Sequence, residues 1–176
     1  MRRRTPQVSL PDGALEAWPE DDIEAWRKAP IDTLIQHLVE VHHPMLRLTL
    51  DRAVALSVVV ARGQELDPEL GARLAAFAAV VHEHLQKEED VVFPAIARGQ
   101  GPMTRGPVAV MLKEHREHRE ALAEVHQLAQ GATPAFDAPV GLALEDLQGA
   151  LVELERRLWA HVRLEDEALF PRALLD

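Results

Sequence analysis

A histidine followed four residues later by a glutamate occurs twice in this chain in the same setting. Each time a second acid follows the glutamate directly, and Phe-Pro comes five residues after it. The first copy is His84, Glu88, Glu89, Phe93 and Pro94; the second is His161, Glu165, Asp166, Phe170 and Pro171. Residues i and i+4 lie one above the other on a helix, so each copy directs an imidazole and a carboxylate at a single point, as metal ligands must be. The 176 residues contain no cysteine, which excludes disulfides, thiolate metal sites and thiol nucleophiles and leaves imidazole with carboxylate as the donor set.

The faces that carry these pairs give them weight. Leu70, Leu74, Phe77 and Val81 lead at alternating steps of 4 and 3 to His84, Glu88 and Val91, and Leu144, Leu147, Leu151, Leu154 and Leu158 lead likewise to His161, Glu165 and Ala168. Both pairs thus extend an apolar stripe of the kind that faces a bundle core. A buried carboxylate is costly unless its charge is compensated. A metal-free structural bundle would have to bury two of them against imidazoles alone, usually a poorer arrangement than apolar packing; a shared cation removes the difficulty.

Four long helices are needed to position these groups. The first is expected from Ile31, after Pro30, to Gly63, and the second from Pro68 to about Arg98. Residues 99–107, with three glycines and two prolines, read as a break, so the third helix is expected over Pro107 to Gln130, with Val108, Met111, His115, His118, Leu122, Val125 and Ala129 on one face. Residues 131–139 are the next turn, and the fourth helix runs on to about Phe170. Short connections between long helices imply an all-α, up-down-up-down four-helix bundle. Residues 30–176 form it, and residues 1–29, broken by prolines, form an N-terminal arm that Trp18 and Trp26 could dock through a short helix over Asp21 to Lys28.

In the first helix His43 falls in line with Val39, Leu46, Leu50 and Ala53, and His42 with Ile35, Leu38 and Met45, so periodicity admits either as the inward one. Pro44 removes an amide donor and crowds the carbonyl of Glu40, which predicts a bend at the level of these histidines. The spacing from His43 to His115 is 72 residues and from His84 to His161 is 77, a doubled helix pair with pseudo-two-fold character. It brings four imidazoles and two carboxylates to one level, enough for two ions with two histidines each and both glutamates bridging. Glu40 and Glu114 are within reach to orient the rings. His118 reads as a hydrogen-bonded core histidine, a donor behind the ligands or an additional ligand, and His37, His82 and His126 as surface or rim.

Composition narrows the partners. Net charge is −10, which argues against binding a nucleic acid duplex. No apolar run approaches the ~20 residues that span a bilayer, and no signal peptide follows the three N-terminal arginines, so the expectation is a cytoplasmic protein without a membrane partner.

The order H…H-x-x-x-E…E-H…H-x-x-x-E-[ED]-x-x-[LV]-F-P resembles the hemerythrin-like, or HHE cation-binding, domain, and most closely the di-iron proteins that repair iron-sulfur centres. The matching pieces are Leu34 to His43 with Arg47, His84 to Pro94, Gly106 to Met111 with Glu114 and His115, and His161 to Arg172. The resemblance implies a hemerythrin-like bundle and a non-haem di-iron centre. Its metal ligands would be His43, His84, Glu88, His115, His161 and Glu165, with two Fe ions joined by an oxo or hydroxo bridge; Mn and Zn suit the same donors. One open position per ion would then accept O2, NO or peroxide. It further implies a role in iron-sulfur centre repair or in the response to nitrosative and oxidative stress, with iron-sulfur proteins as clients. The alternative within the resemblance is an O2-binding carrier or sensor. Repair proteins of this kind commonly carry a cysteine-containing N-terminal domain; this chain has no cysteine, so any thiol chemistry of the family is absent from these residues.

Overall fold

In the computed structural model, residues 22–63, 68–131 and 138–175 are described, and among them every regular element is helical. A short helix, Ile23–Lys28, precedes four rods. The first rod consists of Ile31–His37, a π-helical turn Leu38–His42, and His43–Gly63. The second consists of Pro68–Lys87, a π turn Glu88–Val92, and Phe93–Ala97; the third is Gly101–Gly131 without interruption; the fourth is Ala138–Leu164, a π turn Glu165–Leu169, and Phe170–Ala173.

The three π turns share one cause. In each, a backbone N–H bonds the carbonyl five residues back: His43 to Leu38, Phe93 to Glu88, and Phe170 to Glu165. Proline follows each of these donors directly, at Pro44, Pro94 and Pro171. A proline ring crowds the carbonyl four residues back and offers no N–H, so a wider turn ahead of it relieves the crowding while the helix continues. The wider turn also holds one more residue, which shifts the inward face. Val91, in line with Glu88 by α-helical spacing, is therefore 54% exposed, and Val92 and Phe93 are buried in its stead. In the first rod the inward line passes from Leu34 and Leu38 to His43, five residues on, and then to Leu46, Leu50 and Ala53.

Packing closes a square. The first rod lies against the second and the fourth, and the third also contacts both. Two apolar clusters fill the interior. One contains Leu46, Leu50, Leu74, Val81, Leu122, Leu147 and Leu151; the other contains Leu34, Leu38, Phe93, Val108, Met111, Phe170 and, from the short helix, Trp26. In the first and third rods the sequence enters the second cluster before the first, and in the second and fourth rods the order is reversed. Consecutive rods are thus antiparallel, the up-down-up-down arrangement expected from the short connections.

The third rod begins earlier than the break at residues 99–107 predicts. Gly99, at φ +66°, closes the second rod by donating from its N–H to the Ile96 carbonyl, and the N–H groups of Met103 and Thr104 bond the Gln100 carbonyl, so the turn is only three residues long, Arg98 to Gln100. Pro107 then lies in the second turn of a continuous helix. Asp22 caps the short N-terminal helix by accepting from the Ala25 N–H at 3.0 Å, and Trp26 anchors it, fully buried and stacked on His37 at 4.5 Å between ring centres. Trp18 and the remainder of the arm up to residue 21 lie outside the described residues. No described helix is long and apolar enough to cross a membrane.

Candidate metal centre

Between the two apolar clusters lie His43, His84, Glu88, His115, His161 and Glu165, each no more than 3% exposed. The rods bring their donor atoms into two groups of four, His43, Glu88, His161 and Glu165, and His84, Glu88, His115 and Glu165, within 4.8 Å of one another in each. Both glutamates belong to both groups. His84 Nε2 is 3.0 Å and His43 Nε2 3.4 Å from the Glu88 carboxylate, and His115 Nε2 is 3.2 Å and His161 Nε2 3.3 Å from that of Glu165. The Nε2 atoms of His84 and His115 face each other at 3.1 Å.

The residues present fit a pair of cations. Among the described residues, all four carboxylate oxygens of Glu88 and Glu165, and Nε2 of His43 and His161, are buried without a hydrogen-bond partner. A buried acceptor left in this way costs about 1–3 kcal/mol, and more if charged. Fourfold nitrogen and oxygen sets of this kind suit first-row divalent ions.

The outward nitrogens are held from behind. His43 Nδ1 lies 2.7 Å from Glu89, His84 Nδ1 2.8 Å from Glu114, and His115 Nδ1 2.8 Å from Asp166. A carboxylate there keeps the proton on Nδ1, so that Nε2 presents its lone pair to the centre. Arg47 in turn bonds Glu89 at 2.8 Å, and Lys87 bonds Glu114 at 2.7 Å.

Ionisation follows burial and proximity. Burial drives His161 well below its usual value, with His43 and His42 adding to the effect, and it also lowers His43 despite the facing Glu88. For His84, burial works downward, but the charge of Glu88 reverses it and the net shift is upward. Burial and the charge of Glu88 push Glu165 well above the carboxylate range, whereas for Glu88 the raising effect of burial is overcome by His84. Desolvation raises Glu89 and Glu114, but Arg47 and Lys87 respectively outweigh it and both end below the usual range. Protons alone therefore compensate the interior unevenly.

The remaining histidines and Glu40 divide between positions the sequence suggested and positions it did not. His37, expected at the surface or rim, is buried at 4% exposure because the short N-terminal helix covers it with Trp26; its Nε2 is 3.3 Å from that of His42. His42 is buried too, but belongs to neither donor group; burial first, then His37 and His43, lower it to about 3. Glu40 is exposed and accepts from the Gln36 amide. His118 is buried edge-on against His84 and Phe77, outside both groups, and burial lowers it to about 4. His82 and His126 are partly exposed beside Asp51 and Glu155. Sequence reasoning gave Glu89 and Asp166 no role, although their signal was present: each is the acid directly after a motif glutamate, and each reaches a histidine on a different rod.

Comparison with known proteins agrees with this geometry. A family model described as the hemerythrin HHE cation binding domain matches residues 33–173. The proteins named iron-sulfur cluster repair protein YtfE from Escherichia coli O1:K1 and from Escherichia fergusonii are each 30% identical to this chain, over 98% of it and 80% of their own length. On the strength of that match and of the repeated His-Glu motif, this chain belongs to the hemerythrin HHE cation-binding family.

Proposed function

We propose that the chain binds two iron ions, one between His43 and His161 and the other between His84 and His115, with Glu88 and Glu165 bridging, and that it serves the repair of iron-sulfur centres by donating iron. The observation that carries this reading is that both glutamates belong to both four-donor groups. Iron is favoured over zinc because bridging carboxylates with mixed nitrogen and oxygen donors suit iron or manganese. The repair role comes from relatives bearing that name along nearly the whole chain. When bound, the pair would supply labile iron and redox chemistry toward O2, NO or peroxide. The residues themselves hold the ions, fix the ring tautomers and exclude bulk water from the centre.

The clients of such a role are iron-sulfur proteins, and a cytoplasmic setting suits the absence of cysteine. With no thiol in these residues, sulfur for a rebuilt cluster must come from another source. Residues from 30 onward act as the metal-binding bundle, and the short helix Ile23–Lys28 before them docks through Trp26. The test is to load the protein anaerobically with Fe(II), count iron per chain, and incubate it with an apo iron-sulfur protein and inorganic sulfide while following cluster absorbance. Two ions per chain and cluster formation at the expense of bound iron are expected. One ion or none refutes the dinuclear centre; two ions with no transfer refute donation, and visible bands that come and go with O2 would then assign a carrier.

A further inference from the structure

The pseudo-two-fold that relates the first rod to the third and the second to the fourth also relates the groups behind the ligands, and in one place it fails. It pairs His43 with His115, His84 with His161, and Glu88 with Glu165. Glu89 behind His43 and Asp166 behind His115 are matching positions, each one residue after a motif glutamate. Glu114 behind His84 is the residue before His115; its counterpart is the residue before His43, which is His42. His42 brings an imidazole where the pattern has a carboxylate. Its ring centre is 6.1 Å from that of His161, and His161 Nδ1 is buried with no hydrogen-bond partner among the described residues.

The two four-donor groups thus have equal inner sets and unequal support. Behind His84 and His115 stand two acids; behind His43 and His161 stands one. Arg157, whose charge bears on His42, lies on the same side, and a small pocket there is lined by Val41, His42, Met45, Arg156 and Arg157. A carboxylate behind a ligating imidazole raises its basicity, and loss of one typically costs ~10–100-fold in metal affinity.

We propose that the two metal positions are unequal, that the ion between His43 and His161 is the one released first, and that His42 is the positioning residue that sets the difference. The inference rests on the dinuclear reading above and adds which ion is mobile and why. It makes the chain a donor of one ion per cycle that retains the other.

The experiment uses the full chain loaded with Fe(II) and, in a parallel sample, with Zn(II), challenged with a chelator while metal per chain is followed in time. Two phases of one equivalent each are expected. His42→Glu, whose carboxylate would have Arg157 beside it, slows the first phase at least ~10-fold and leaves the second unchanged. Glu114→Gln accelerates the second phase toward the first, and this arm holds if His42→Glu fails to fold. Release of both ions in one phase overturns the proposal, as does a first phase insensitive to His42→Glu together with a second insensitive to Glu114→Gln. Failure to bind two ions at all would instead refute the dinuclear reading.

Discussion

Glu88 and Glu165 face each other from the second and fourth rods, and each is within reach of both histidine pairs. A change at either one removes a donor from both groups, whereas a change at His84 touches one. Glu88→Gln and Glu165→Gln are therefore expected to lose more metal than His84→Ala, which should lose about one equivalent. Elemental analysis of the purified variants checks this, and full loading of either glutamine variant would contradict it.

The acids behind the rings give a graded effect. Glu89→Gln and Asp166→Asn keep the hydrogen-bonding shape but weaken the pull on Nδ1, so each should lower metal affinity by ~10–100-fold. Glu40→Gln, at an exposed site bonded to the Gln36 amide, should leave affinity unchanged. Competition with a chelator of known affinity measures all three.

His118 sets a pH limit. Its ring is buried and neutral, lowered to about 4, whereas in the unfolded chain it titrates near 6.5. The unfolded state therefore takes up the proton first, and the stability His118 permits at neutral pH is lost as pH falls from about 6.5 toward 4. At the acid end the loss approaches about 3 kcal/mol. Denaturant melts across this range should be flatter in His118→Gln than in the parent protein; identical slopes would exclude the effect.

Core and centre should separate in mutagenesis. Leu151 is fully buried in the apolar cluster remote from the short N-terminal helix, and Leu151→Ala should cost about 2–5 kcal/mol in unfolding free energy. Its metal content should stay at the parent value, because none of the six donors is replaced.

The sequence made the helices legible because their burial is periodic: the stripes through Leu74 and His84, Leu122 and His115, and Leu154 and His161 all face inward. The failures arise where a local rule meets tertiary packing. Val91 was misplaced because a π turn adds one residue to the period, although the three proline positions carry the signal for it. His42 and His43 could not be separated by period for the same reason, since both are buried once the turn widens. His37 was misplaced because the element covering it comes from outside the bundle, and Glu89 and Asp166 were overlooked because they act on histidines of other rods. The third rod starts earlier than expected because Arg98, Gly99 and Gln100 suffice for the reversal that the sequence pattern spreads over nine residues.

Among the described residues the two apolar clusters are separate, and the layer of imidazoles and carboxylates lies between them. A pair of cations would act there as a rivet. Once they are stripped by chelation, the seam holds mutually repelling and unsatisfied groups, and the half that contains Trp26, Phe93 and Phe170 can come loose while the leucine-rich half stays closed. Hydrogen exchange on the stripped protein should accordingly quicken first in residues 23–38, 92–97 and 165–173, whereas one cooperative loss of protection along the whole length would mean that the halves are joined without the metal.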